Sequence, residues 1–130
     1  MAAKRMGFDI AILEKEAGSP AGQLTSMEIT GSASDKKLLR KLAAYSDVIT
    51  LENEFIDYHI IEYLESLGKK VFPSSETISL IQDKLIQKQT LSKHNIPLPK
   101  FTAAEHKSDF EKIVEFLGLP FVLKSRKMGY

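Results

Sequence analysis

The chain has 130 residues, 43% hydrophobic and 27% charged, the balance of a soluble globular protein with room for one ordinary domain or parts of two. A formal net charge of +1 offers no basic field for nucleic acid, and with no cysteine there can be no disulfide, thiolate metal site or thiol nucleophile. No apolar run reaches the roughly 18 residues of a membrane-spanning helix, and the lack of cysteine suits a reducing, cytoplasmic setting.

Residues 1–7 (MAAKRMG) lack the apolar centre of a secretory signal and read as the closing turns of a helix, with Gly7 just past its end. A domain that opens on the tail of a helix is expected to have lost the strand before it. Residues 8–13 (FDIAIL) then predict a strand buried on both faces. Gly18, Pro20 and Gly22 make residues 14–22 a loop, and residues 27–30 (MEIT) alternate as a short strand. Ser34 or Asp35 can cap a helix with Leu38, Leu39, Leu42 and Ala43 at helical spacing, ending near Tyr45. Residues 47–51 (DVITL) form the next strand. Asp57 caps a second helix with Ile60, Ile61, Leu64 and Leu67 on one face and Gly68 as its stop. Residues 70–72 return as a strand that Pro73 ends. This β-α-β-α-β rhythm with short links predicts an α/β fold with a Rossmann-like parallel sheet covered by helices.

Beyond Pro73 the pattern changes, which sets a domain boundary between residues 1–73 and 74–130. Residues 74–95 predict a long helical stretch, with Ile78, Ile81, Leu85, Ile86 and Leu91 apolar and a break near Gln82-Asp83. Asn95 and Pro97 stop it. Residues 97–99 (PLP) form a stiff extended link. Ser108 and Glu111 have the spacing of a capping box over a helix at 109–117, closed by Gly118. A buried strand at 120–124 then ends on Lys124 and opens into a cationic loop, Ser125-Arg126-Lys127-Met128-Gly129-Tyr130, where the chain stops.

That closing segment carries the strongest chemical signal. A lysine at the end of a buried strand should emerge toward an anion, and a cationic loop with glycine lets backbone approach phosphate closely. A lysine that merely reaches solvent is the plainer alternative. Lys84 and Lys88, four apart on a helix behind Gln82-Asp83, read by spacing alone as a solvated face. Glu52 and Glu54 follow a strand, and in an extended chain both carboxylates would share one side, beyond the carboxyl end of the sheet where ligands bind in open α/β folds. A charged turn before the Asp57 cap explains them equally. His59, His94 and His106 show no metal spacing.

Taken in order, Ser75-Glu76, Gln82-Asp83-Lys84-Leu85-Ile86-Gln87-Lys88, Asn95-Ile96-Pro97 and Lys124-Ser125-Arg126-Lys127-Met128-Gly129-Tyr130 resemble the 5-(carboxyamino)imidazole ribonucleotide synthase family, ATP-grasp ligases of purine biosynthesis also found as a domain of phosphoribosylaminoimidazole carboxylases. Met6-Gly7-Phe8, Ser19-Pro20-Ala21 and Asp47-Val48-Ile49-Thr50-Leu51-Glu52-Asn53-Glu54 resemble its amino-terminal domain. The resemblance implies a pre-ATP-grasp domain at 1–73 lacking its first strand and glycine-rich turn, then the start of an ATP-grasp domain. It implies ATP contacts at Lys84, Lys124, Gly129 and Tyr130, and an aminoimidazole ribonucleotide contact at Glu52, with Glu54 and Arg126 as weaker matches. Bicarbonate is the implied second substrate, and a homodimer the implied assembly of the full-length protein. Catalytic groups and magnesium ligands are expected beyond Tyr130, so the 130 residues alone are expected not to turn over. The alternatives are another ATP-grasp ligase, such as the formate-dependent glycinamide ribonucleotide transformylase, or a non-catalytic nucleotide-binding module.

Overall fold

Two short parallel ladders, rather than one continuous sheet, carry the first half of the chain. The computed structural model describes residues 2–128, and within them the chain divides into two compact units, Met1–Ser75 and Glu76–Tyr130. In the first unit β1 (Ala11–Glu14) pairs in parallel with β2 (Met27–Thr30), placing Ala11 opposite Met27 and Leu13 opposite Ile29. β3 (Val48–Thr50) pairs in parallel with β4 (Lys70–Phe72), placing Ile49 opposite Val71. The helices are α1 (Ala2–Arg5), α2 (Lys36–Tyr45) and α3 (Tyr58–Ser66). The α/β class and the parallel pairing follow the sequence pattern.

Asp35 and Asp57 cap α2 and α3, each accepting from the backbone N–H two residues on: Lys37 at 2.7 Å and His59 at 3.0 Å. α2 packs on β1, α3 on β4, and the two helices on each other. Between them Leu39, Leu42, Ala43, Ile61 and Leu64 are buried along with Ile29, Ile49 and Val71 of the strands. Each such aliphatic side chain contributes about 1.5–3 kcal/mol on full burial, so this apolar set is what holds the unit together.

The first strand departs from expectation. It starts at Ala11 rather than Phe8 and is only half-buried, and Phe8 is 60% exposed. The cause is local. Gly7 takes a φ of +83°, its N–H donates to the Lys4 carbonyl, and the Phe8 N–H donates to the Ala3 carbonyl at 3.1 Å. This reciprocal pair closes α1 and uses the backbone of Phe8, so the ladder begins only after it.

Glu28, on β2, organises the loop between the first two strands. Its carboxylate accepts from the Gly18 N–H at 3.0 Å and from the Ser19 N–H and hydroxyl at 3.2 and 3.0 Å. The Gly18 N–H bond leads in holding this carboxyl below its usual range, and the Ser19 bonds reinforce it. Ser19 Oγ in turn accepts from the Gly22 N–H at 2.9 Å. A Cβ on Gly22 would overlap the Glu28 carboxylate. Gly22→Ala is therefore expected to destabilise the protein by about 1–3 kcal/mol in urea unfolding, and Glu28→Ala in the same chain to cost less than in the parent, because the overlap is already gone.

In the second unit the long helical stretch is broken where the sequence predicts. α4 (Ser75–Ile81) ends before Gln82, and α5 (Lys84–Lys93) starts after Asp83. Asn95, at φ +56°, closes α5 as Gly7 closes α1: its N–H donates to the Ser92 carbonyl and that of Ile96 to the Leu91 carbonyl. α6 (Phe110–Leu117) is preceded by a 3-10 turn at Lys107–Asp109 and closed by Gly118, whose N–H donates to Val114 O at 2.8 Å.

Two expectations fail here. The turn before α6 is fastened not by Ser108 and Glu111 but by Asp109, whose carboxylate accepts from the Glu105 and His106 N–H groups at 3.0 and 2.8 Å. Asp109 stands two residues nearer those donors than Glu111 does. Residues 120–124 form no strand, and Val122 and Leu123 are 77% and 76% exposed. A strand exists only as part of a ladder, and among the described residues the second unit holds no strand for them to pair with.

Candidate functional site

Asp83 is the one buried charged residue among those described, at 3% exposure. Its carboxylate has two tasks. Oδ1 caps α5 by accepting from the Leu85 and Ile86 N–H groups at 2.9 and 3.3 Å. Arg126 then closes on it side-on, with Nε 3.1 Å from Oδ1 and Nη2 2.6 Å from Oδ2, the forked geometry that planar guanidinium and carboxylate share. The Arg126 bond, ahead of the two backbone bonds, holds the Asp83 carboxyl below its usual range, and the carboxylate raises the already high value of the guanidinium.

A third bond completes the junction. The Lys84 N–H donates to the Arg126 carbonyl at 2.9 Å. The first residue of α5 is thus joined to the cationic loop 124–128, residues some forty positions apart in the chain. Within that loop Ser125 Oγ donates to Lys127 O at 2.8 Å, Met128 takes a φ of +54°, and Lys124 is exposed rather than emerging from a buried strand. Gly129 and Tyr130 lie outside the described residues.

The chemistry follows from what is used up. The Lys84, Leu85 and Ile86 N–H groups at the start of α5 already have acceptors. Half of the Arg126 fork is neutralised by Asp83. Lys84 and Lys124 thus lie on two segments joined by a backbone hydrogen bond, and ammonium groups so placed are of a kind that suits a polyphosphate. Lys88, one turn further along α5, lies 5.5 Å over the Phe101 ring, which accounts for its position without a ligand.

Glu52 belongs to the first unit. It lies just beyond the carboxyl end of β3, but residues 52–54 bend instead of running extended, so Glu52 and Glu54 do not share a side by strand periodicity. Glu52 is exposed and accepts from the side-chain amide of its neighbour Asn53 at 2.6 Å, while Asn53 Oδ1 accepts from the Phe55 N–H at 3.0 Å and fixes the bend. His59 pairs with Glu62 on the surface of α3 at 2.7 Å, a bond that raises the pKa of the imidazole. Among the described residues no group of three or more His, Asp or Glu side chains is placed to hold a metal ion.

The depressed Asp83 carboxyl has a testable consequence. An acid more easily ionised folded than unfolded contributes stability that is fully present above its unfolded value of about 3.9 and is lost as pH falls through the folded one. Acid unfolding followed by circular dichroism should steepen below about pH 4, and Asp83→Asn should flatten that part of the curve.

The description of the ribonucleotide synthetase preATP-grasp domain matches residues 1–82, well over half of the chain. The chain belongs to that family. It is 39% identical to phosphoribosylaminoimidazole carboxylase from Ogataea methanolica, over 99% of this chain and 24% of that protein. It is 32% identical to N5-carboxyaminoimidazole ribonucleotide synthase from Bacillus subtilis, over 100% of this chain and 34% of the relative. The crystal structure of N5-carboxyaminoimidazole synthase from Aspergillus clavatus in complex with ADP and 5-aminoimidazole ribonucleotide superposes with a TM-score of 0.83 at 32% identity, over 98% of this chain and 35% of that one. The chain thus spans about a quarter to a third of the length of these relatives. The resemblance seen in the sequence is to the right family.

Proposed function

We propose that the protein carrying this chain is an ATP-dependent ligase that carboxylates the exocyclic amine of 5-aminoimidazole ribonucleotide with bicarbonate, a step of purine biosynthesis. Residues 1–73 serve as its pre-ATP-grasp domain and residues 74–130 begin its ATP-grasp domain. The observation that carries this reading is the junction of Lys84 with the 124–128 loop, in a chain similar along its whole length to synthetases of this name.

In this reading a bicarbonate oxygen attacks the γ-phosphorus of ATP and ADP leaves, giving carboxyphosphate. The substrate amine then attacks the carboxyl carbon, and phosphate departs with the bridging oxygen. Lys84 and Lys124 bind the polyphosphate and offset the charge that gathers on the transferring group. Gly129 and Tyr130, next in the sequence, are further ATP contacts in this reading. Glu52 accepts hydrogen bonds from the ribonucleotide. Magnesium, when bound with ATP, supplies further charge neutralisation; its ligands and the catalytic groups come from elsewhere in the intact enzyme, which works as a homodimer in the cytoplasm.

The test is an assay of the full-length protein with ATP, 18O-labelled bicarbonate and aminoimidazole ribonucleotide. Ribonucleotide-dependent ADP release with one labelled oxygen in the phosphate is the expected result. ADP release with formate and glycinamide ribonucleotide instead would move the protein to the formyl-transferring branch, and no ADP release with either pair would overturn the reading.

A further inference from the structure

The pattern of charges invites the assumption that Arg126, at the centre of the cationic loop, is itself a phosphate contact. The geometry argues otherwise. Its Nε and Nη2 face Asp83, a carboxylate buried to 3% exposure and already fastened to α5 by two backbone N–H groups. Turning the Nε–Nη2 edge away from Asp83 toward a ligand would leave that buried carboxylate without its counter-charge, a costly state. Meanwhile the Arg126 carbonyl accepts from the Lys84 N–H at 2.9 Å. Side chain and backbone of one residue therefore hold the loop to the first turn of α5 from two directions.

We infer that Asp83 and Arg126 are positioning residues: the pair clamps loop 124–128 to the start of α5, and so sets Lys124 and Lys84 in register for one polyphosphate. This rests on the reading of those two lysines as phosphate contacts. Neither member of the pair touches the nucleotide. The aspartate caps α5 and tethers the loop with the same carboxylate, so the helix and the loop cannot shift independently.

Asparagine caps a helix about as well as aspartate but carries no charge, so Asp83→Asn separates the two tasks of the carboxylate. Two readouts are needed, both on the full-length protein. In the first, amide exchange, Asp83→Asn should speed exchange of the Lys84 N–H about tenfold, while amides later in α5 keep their protection. In the second, titration with magnesium-ATP, Asp83→Asn should weaken binding about tenfold through misplacement of the lysines, with the ribonucleotide KM unchanged. Arg126→Lys keeps the charge but loses the fork, and should weaken ATP binding as much. It also serves if Asp83→Asn folds poorly. The double variant should be no weaker than either single one.

Unchanged Lys84 exchange in both variants would overturn the clamp. ATP binding that survives Arg126→Lys and tightens in Asp83→Asn would overturn the positioning role and make Arg126 a direct phosphate contact. A parent protein that binds no ATP would overturn the proposed function instead, while Lys84 exchange would still decide whether the clamp exists.

Discussion

Replacing Lys124 with methionine is expected to lower kcat/KM for ATP by about 10²–10³-fold in the full-length protein, the loss typical of removing one preorganised charge from a developing anion. Methionine keeps the length and flexibility of the side chain and removes only its ammonium group. Lys124 is exposed and lies outside any ladder, so the substitution leaves no cavity and no unpaired buried group. Unfolding in urea should be within about 0.5 kcal/mol of the parent. Lys124→Arg should recover part of the rate, since a point charge on a flexible stem is not equivalent to a planar fork. Lys93→Met, which removes a charge from the last turn of α5, is the control and should leave ATP kinetics unchanged. Steady-state ADP release at saturating bicarbonate and ribonucleotide measures all three. A Lys124→Met enzyme with parental kcat/KM would remove Lys124 from the polyphosphate site and leave Lys84 as its remaining cation.

What could be read from the sequence was what short stretches determine by themselves. Asp35 and Asp57 each stand immediately before a helical apolar pattern, and each caps the helix that follows. Gly7, Gly68 and Asn95 each stand where the pattern stops, and each adopts the positive φ that closes a helix. These features are decided within four or five residues, so periodicity and capping chemistry find them. The strands at 8–13 and 120–124 were misjudged for the opposite reason. An apolar run becomes a strand only if a partner lies alongside, and the identity of the partner is not written in the run. Phe8 was drawn into the end of α1, and residues 120–124 lie outside any ladder.

The candidate site divides the same way. Lys84 and Lys124 could be singled out by residue type and order. That Lys84 and the loop after Lys124 are joined, and by what, could not. Asp83 was legible as part of the break between two helices, and Arg126 as a loop cation. Their bidentate pairing depends on the chain returning after forty-three positions, and no local pattern marks that return. Burial was the missing signal, since a carboxylate at 3% exposure calls for a cation wherever in the sequence that cation lies.

The largest effect on stability is expected in the first unit. Ile61 is fully buried at 0% exposure on α3, with Leu64 at 2% one turn on. Truncating it to alanine removes three carbons from a packed site and leaves a cavity that a short helix can only partly collapse, so Ile61→Ala should cost about 2–5 kcal/mol in urea unfolding. Leu67→Ala, at the end of the same helix and 38% exposed, should cost much less, because solvent already meets that side chain. Ile61→Val should fall between them, at about 0.5–1.5 kcal/mol. The comparison separates packing from helix propensity: alanine is the better helix former, so any intrinsic preference opposes the predicted order. The cost should also reach the boundary with α4. Glu65, on the same helix, accepts from the Ser75 N–H at 3.0 Å and from the Ser75 hydroxyl, holding the start of α4. If α3 loosens when its core contact is cut, the Ser75 amide should lose exchange protection together with the amides of α3. Parental protection at Ser75 in a destabilised Ile61→Ala protein would mean that the Glu65 bond survives independently of the packing beneath it.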